Sequence, residues 1–546
     1  MRSLVGSTKI IMLVELIILC QVVSCAESTQ MDNRIVWNPN INDETYKNPI
    51  IFADYSDPDV IRVGEDFYMT TSSFNCVPGL PLLHSEDLVN WTLIGHAIQR
   101  FSDKRFDVPQ HGNGIWAPSI RYHNGWFWIF VGDPDAGILM TKAKNPAGQW
   151  EPLHLVQEGK GLIDTCPLWD EDGKAYLVHA WANSRAGINS ILTVNEMSPD
   201  GRKLLDEGTM VFDGRNGIQP TIEGPKFYKR NGYYYILAPA GGVKNGWQLA
   251  LRSKNVMGPY EVKRVMEQGS TNINGPHQGG WVELENGENW FIHFQDHGAY
   301  GRIVHMNPVR WVDDWPLMGV DLDGNGIGEP VAEYKKPDVG RIWPVMVPRT
   351  SEEFDSEKLG LQWQWHANYK NDWFSLTERA NHLRLFSVPV PSDAINFWTI
   401  PNLILQKFPA PEFTVTTKID FSKLSVGEKS GLIVMGTNYS YLAVERTPSG
   451  CRIIKVSCKN ANGNGSEVVE GNTDCKGDSL LLRVKIDDDA VCNLSYSPDG
   501  KEFALIGEPF TARPGKWIGA KVGLFCLAQN AEQKKGHADY DWFRFE

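Results

Sequence analysis

The chain has 546 residues, 42% of them apolar and 22% charged, with a formal net charge of -13. That length exceeds what one hydrophobic core holds and asks for two domains, and the acidic balance excludes a nucleic-acid partner, which wants a basic face. Twenty Trp and an aromatic share of 11% fit a protein acting on a neutral ligand, because exposed rings stack on the apolar faces of sugars while the rest fill cores.

Residues 1–25 read as a signal peptide. Arg2 and Lys9 precede an apolar run from Ile10 to Val23 that is interrupted by Glu15 and too short for a comfortable membrane span. Val22-Val23-Ser24-Cys25 has the form of a bacterial lipoprotein box, which would make Cys25 a lipid anchor. Plain signal-peptidase cleavage nearby is the other reading. Both imply export, to a bacterial periplasm or to the cell surface as a lipoprotein.

Between residues 40 and 346 one hairpin signal recurs five times: an apolar strand, a polar or Gly-containing turn, then an aromatic strand. The copies open at Asp57, Ala117, Asp164, Glu223 and His277, with spacings of 60, 47, 59 and 54 residues. A period of this size predicts a five-bladed β-propeller. The first strand of every blade lines the central axis, so Asp57, Asp164, Glu223 and His277 are expected to meet there, with Ala117 as the plain member. Each opening alone is ordinary loop punctuation. Their common phase is the argument: three carboxylates and an imidazole are costly to desolvate unless they do chemistry.

Asp321-Leu322-Asp323-Gly324-Asn325-Gly326 has oxygens where an EF-hand loop starts, but position 12 is Ala332 in place of the closing Glu. A tight turn is the better reading. Lys335-Lys336-Pro337 and Val347-Pro348-Arg349-Thr350 mark a linker. From 351 to 546 short alternating strands with Gly/Asn turns, such as Phe413 to Phe421 and Leu480 to Ile486, predict a β-sandwich of jelly-roll type. The protein should be all-β. Trp363, Trp365, Trp373 and Phe374 are candidates to cover apolar propeller surface. Nine cysteines include two in the leader, Cys76 and Cys166 in the repeats as packed thiols, and five between 451 and 526 where one or two disulfides could close.

The repeats are similar to glycoside hydrolase family 43. The resemblance rests on Tyr55-Ser56-Asp57-Pro58-Asp59-Val60, Ser73-Phe74 with Pro78-Gly79-Leu80-Pro81, His84-Ser85-Glu86-Asp87, Trp116-Ala117-Pro118, Glu223-Gly224-Pro225 and Gly301-Arg302. The region after Ser351 resembles the concanavalin-like sandwich of that family's β-xylosidases, where it reaches the rim of the active site. The resemblance implies Asp57 as general base, Glu223 as general acid and Asp164 as the carboxylate that orients the acid. It also implies substrate contacts from His277, Arg302, Trp116 and Phe74, with His277 positioning water or holding calcium through water. No cofactor is required; a structural calcium is left open. Departures fall at Thr165-Cys166-Pro167, at Ser119 where an acidic residue is usual, and at Asn75-Cys76-Val77.

The chemistry also stands without the family. An inverting glycosidase needs a base for water and an acid for the leaving oxygen, roughly 6.5–9.5 Å apart. The expected activity is exo-acting release of β-D-xylosyl or α-L-arabinofuranosyl units from plant polysaccharides or oligosaccharides, β-xylosidase favoured. The rivals are an α-L-arabinofuranosidase acting on arabinan, arabinoxylan or xyloglucan side chains, a non-catalytic carbohydrate-binding protein, and an interaction platform, which would not need phased carboxylates.

Overall fold

A computed structural model describes residues 35–529 and 536–546; the leader and its Cys25 lie outside them. Among the described residues the only α-helix is the single turn Asn183–Ala186, and no helix is long and apolar enough to cross a membrane.

Residues 59–318 form five four-stranded antiparallel sheets, each a simple meander in chain order. Their inner strands are Asp59–Val63, Trp116–His123, Leu162–Trp169, Lys226–Arg230 and His277–Glu283, opening blades I to V. A lone four-stranded sheet cannot hide its two faces from water, so each blade packs on the next. Apolar side chains fill each junction: Leu82 with Ile129 between I and II, Phe130 with Leu177 between II and III, and Val178 with Ile236 between III and IV. Leu237 with Phe291 fill the junction between IV and V, and Trp290 with Phe67 that between V and I.

No strand is exchanged between the first and last blades. The ring closes instead through that last apolar junction and a two-stranded ladder of Thr45–Lys47 with Glu333–Lys335. Tyr46 donates its hydroxyl to the carbonyl of Met306 at 2.8 Å, tying this ladder to blade V.

After Ser351 two eight-stranded, mainly antiparallel sheets pack face to face as a β-sandwich. Their shared core holds Leu432, Val434, Val484, Leu524, Tyr540 and Phe543, and it extends to Phe52, Tyr300 and Ile303 of the propeller. The two halves therefore share one core. Trp363, Trp365 and Trp373 lie inside that shared core, and the Trp365 backbone exchanges hydrogen bonds with Val77 of the propeller at 2.7 and 2.9 Å.

All seven described cysteines are free thiols. Cys76 and Cys166 serve as buried acceptors: Lys521 Nζ lies 3.0 Å from the first sulfur and Arg121 Nη2 lies 2.8 Å from the second.

Candidate active site

Every blade enters the axis through a kink. Asp57, Ala117, Asp164 and Gln278 take φ of +54°, +31°, +57° and +39°, and Gly224 takes +58°. Left-handed backbone costs a non-glycine residue on the order of 1–3 kcal/mol and persists only where its surroundings fix it. The ladders skip at these points, between Trp116 and Ser119, Ile163 and Cys166, and His277 and Gly279.

The register corrects the phase expected from sequence. Asp57 and Asp164 share the left-handed station with Ala117, whereas blades IV and V place Gly224 and Gln278 there. Glu223 and His277 stand one residue earlier, level with Ser56 and Trp116. A one-residue slip in a regular strand would send a side chain to the other face. Here the kink turns two successive residues toward the axis, so either can deliver a functional group. Only glycine fits the station of blade IV, because a Cβ on Gly224 would lie 2.6 Å from Cγ of Gln278.

Asp57 is 2% exposed. Its Oδ2 accepts the hydroxyls of Ser56 at 2.7 Å and Ser72 at 2.5 Å, and Arg302 Nη1 donates to Oδ1 at 3.0 Å. These donors match an ionised carboxylate, the form a base requires. Arg302 thus spends one nitrogen on Asp57 and Ser56 before any sugar arrives.

Asp164 is equally sealed and accepts the Gly224 N–H at 2.8 Å. Burial pushes its carboxyl up; the Gly224 donor pulls it back, the Asp57 charge raises it further, and Lys226 and Arg302 oppose. Glu223, with 31% of its side chain open to the pocket, is also raised, first by burial and then by the Asp164 charge. A backbone donor aimed at Asp164 favours charge there, which leaves the proton on Glu223.

Lys226, on the strand that follows Glu223, is fully buried. It donates to the Pro118 carbonyl and to Ser119 Oγ, both at 2.9 Å. The neutral Ser119 leaves this ammonium uncompensated by its nearest partners, so its charge acts on Asp164 instead.

His277 is fully buried with both ring nitrogens unpartnered, and its Nε2 lies 3.6 Å from Glu223 Oε1. Burial and the Arg302 charge hold the imidazole down at about 3, so it is neutral and this contact is no ion pair. Among the described residues no group of three or more His, Cys, Asp or Glu is placed to ligate a metal directly. The Asp321 loop spends its oxygens on its own turn, Asp321 accepting the Gly324 and Gly326 N–H groups at 2.8 and 3.1 Å.

Trp116 forms a wall of the pocket, its indole N–H bonded to the Gly112 carbonyl at 2.9 Å. Phe74 is 3% exposed and sits behind Trp116 at 6.4 Å between rings, so it supports the wall.

Next to Trp116 stands Trp517, from the sandwich, 44% exposed and 6.4 Å from the Trp116 ring, with Arg302 5.9 Å from its own ring. Its loop is anchored by Gly519 N–H to Asp54 Oδ2 at 3.0 Å and Ala520 N–H to the Ala299 carbonyl at 2.6 Å. Gly112 must lack a side chain here, since its φ is +80° and a Cβ would lie 2.4 Å from Lys516. Sequence reasoning missed Trp517, because nothing in a non-repeating loop ties it to the axis. Lys226 was discoverable from its place three residues after Glu223.

The chain matches the model of glycosyl hydrolases family 43 over residues 46–316 and that of the β-xylosidase C-terminal concanavalin A-like domain over 351–546. The chain belongs to glycoside hydrolase family 43. It is therefore a glycoside hydrolase of an inverting family, acting on carbohydrate. It is 40% identical to a Xylanibacter ruminicola protein over 497 residues, 90% of this chain and 88% of that one. A β-xylosidase of Formosa agariphila is 34% identical over 553 residues, 92% and 90% of the two chains. A non-reducing end α-L-arabinofuranosidase of Bacteroides ovatus is 31% identical over 549 residues, 93% and 97% of the two chains. The crystal structure of a xylan β-1,4-xylosidase from Bacillus halodurans superposes with a TM-score of 0.82 at 25% identity, covering 92% and 99% of the chains.

Proposed function

We propose that this family 43 hydrolase is an exo-acting β-xylosidase, removing single β-D-xylosyl units from the ends of plant oligosaccharides or polysaccharides. The observation that carries this reading is the set Asp57, Asp164 and Glu223 at the floor of a pocket that Trp517 roofs from a second domain. A roofed pocket of this kind suits a chain end better than the middle of a polymer. The C-terminal domain type and the Formosa agariphila relative support xylose.

In this mechanism Asp57 takes a proton from a water that attacks the anomeric carbon from the face opposite the leaving group. Glu223 gives its proton to the leaving oxygen. The glycosidic bond breaks as the new C–O bond forms, and the product has the opposite anomeric configuration. Asp164 keeps Glu223 protonated through its charge. Arg302 fixes the base, and its remaining donors face the sugar hydroxyls. Neutral His277 can bond a hydroxyl or a water with either nitrogen, and Trp116 gives the ring an apolar face with Phe74 behind it.

The second reading, an α-L-arabinofuranosidase, is favoured by the Bacteroides ovatus relative. A binding protein without catalysis is disfavoured, since both carboxylates stand in environments suited to opposite protonation states. Paired kinetics on an aryl β-D-xyloside and an aryl α-L-arabinofuranoside decide between the sugars. The β-xyloside should have the higher kcat/KM; a reversed ratio replaces this reading with the second.

A further inference from the structure

Five of the seven described cysteines are buried, and two are only partly so: Cys451 and Cys475. Those two stand opposite each other. The strands Gly450–Cys458 and Glu467–Asp474 are antiparallel neighbours, with Arg452 facing Asp474. One step outward, Cys451 faces Cys475, whose N–H donates to the Cys451 carbonyl at 3.0 Å. The Cys451 thiol lies 3.2 Å from the Cys475 carbonyl oxygen, and burial together with the neighbouring Cys451 thiol pushes the Cys475 thiol up.

Facing residues joined by a ladder hydrogen bond have Cα atoms about 5.5 Å apart, inside the usual disulfide window of about 4.4–6.8 Å. Their side chains leave the sheet on the same face. Four of the other described thiols have separate surroundings: Cys76 meets Lys521, Cys166 meets Arg121, Cys458 bonds the Gly465 carbonyl and Cys492 the Ala490 carbonyl.

The strand that this pair would hold needs holding. Glu467–Asp474 is the outer edge of its sheet, and its ladder slips between Lys455 and Val456. It exposes Val468 and Val469 at 59% each. An exposed apolar edge frays and invites pairing with another chain.

We propose that Cys451 and Cys475 form a disulfide that pins the end of this edge strand when the protein stands in an oxidising compartment. The oxidant is a disulfide, either of a small thiol or of an exchange catalyst. The thiolate of one cysteine attacks it and releases one thiol. The second cysteine then attacks the mixed disulfide and releases the other. The protein pair loses two hydrogens and two electrons, and the oxidant becomes two thiols.

The test uses the full chain, equilibrated under native conditions with oxidised glutathione, alkylated, and digested without reduction. The expected result is a cross-linked peptide pair holding Cys451 and Cys475, with Cys76, Cys166, Cys458, Cys492 and Cys526 recovered as thiols. Amide exchange in residues 467–474 should slow severalfold on oxidation. That slowing should vanish in Cys475→Ser, while aryl xyloside turnover stays within about twofold because the pair does not line the pocket. Recovery of both residues as alkylated thiols overturns the proposal, and so does a cross-link to a different cysteine. An exchange rate unchanged by a correct cross-link overturns its role on the strand.

Discussion

The floor and the roof of the pocket are built by opposite means. The floor comes from repeated kinked strands and carries charge: Asp57 and Asp164 are 2% exposed, and each accepts a hydrogen bond from another blade, from Arg302 and Gly224. The roof comes from one non-repeating loop of the sandwich and carries an aromatic ring, Trp517, at 44% exposure. The floor decides protonation and the roof decides shape. Charge must be pre-arranged because reorganising it during reaction is costly. A sugar's apolar face asks only for a ring at the right height.

The harshest way to break this comparison is to remove the roof's domain. A chain ending at Arg349 leaves Phe52, Tyr300 and Ile303 without the core they share with the sandwich. It should aggregate and show no measurable hydrolysis; a soluble propeller at full rate, by sedimentation and aryl xyloside assay, refutes the shared core.

Next come the floor's carboxylates. Asp57→Asn and Glu223→Gln should each lower kcat by about 10²–10⁴-fold, the range for general acid–base groups, with circular dichroism unchanged. Aryl substrates with good leaving groups should recover much of the Glu223→Gln loss and little of the Asp57→Asn loss.

Trp517→Ala tests the roof alone. It should lower kcat/KM by roughly two- to tenfold, the scale of one aromatic contact, mainly through KM. A kcat loss as large as that of Glu223→Gln would mean that the roof takes part in proton transfer.

The smallest expected effect is a shift in pH. The proposed acid Glu223 works only while protonated, so activity should fall as pH rises through its elevated pKa. Lys226→Met removes a pull that keeps Asp164 charged. A less charged Asp164 raises Glu223 less, and the alkaline limb of kcat should move down by up to roughly one pH unit. Lys226→Arg should restore it. An unmoved limb would separate Lys226 from the floor's electrostatics.

What was legible in the sequence follows the same division. The repeats disclosed the ring and the identities of Asp57, Asp164, Glu223 and His277, because each blade announces its inner strand with the same turn signals. They did not disclose the phase, since a left-handed residue in Asp57 or Ala117 leaves no compositional trace. Only Gly224 carries one, in being glycine. The roof was invisible because its ring is brought to the axis by docking two domains, and such a contact has no local pattern. The aromatics singled out in the sequence, Trp363, Trp365 and Trp373, lie in the core that the sandwich shares with the propeller, where large rings bury the most area.

One carboxylate joins floor to roof. Asp54 Oδ1 accepts the backbone N–H of Arg302 at 2.9 Å, while Oδ2 accepts that of Gly519 at 3.0 Å. Asp54 and Gly519 are 465 positions apart along the chain. During synthesis the first leaves the ribosome near the beginning and the second close to the end. The Gly519 bond that seats the roof loop beside Arg302 is therefore among the last to close. A nascent or prematurely terminated chain carries every carboxylate of the floor and still lacks the loop that bears Trp517.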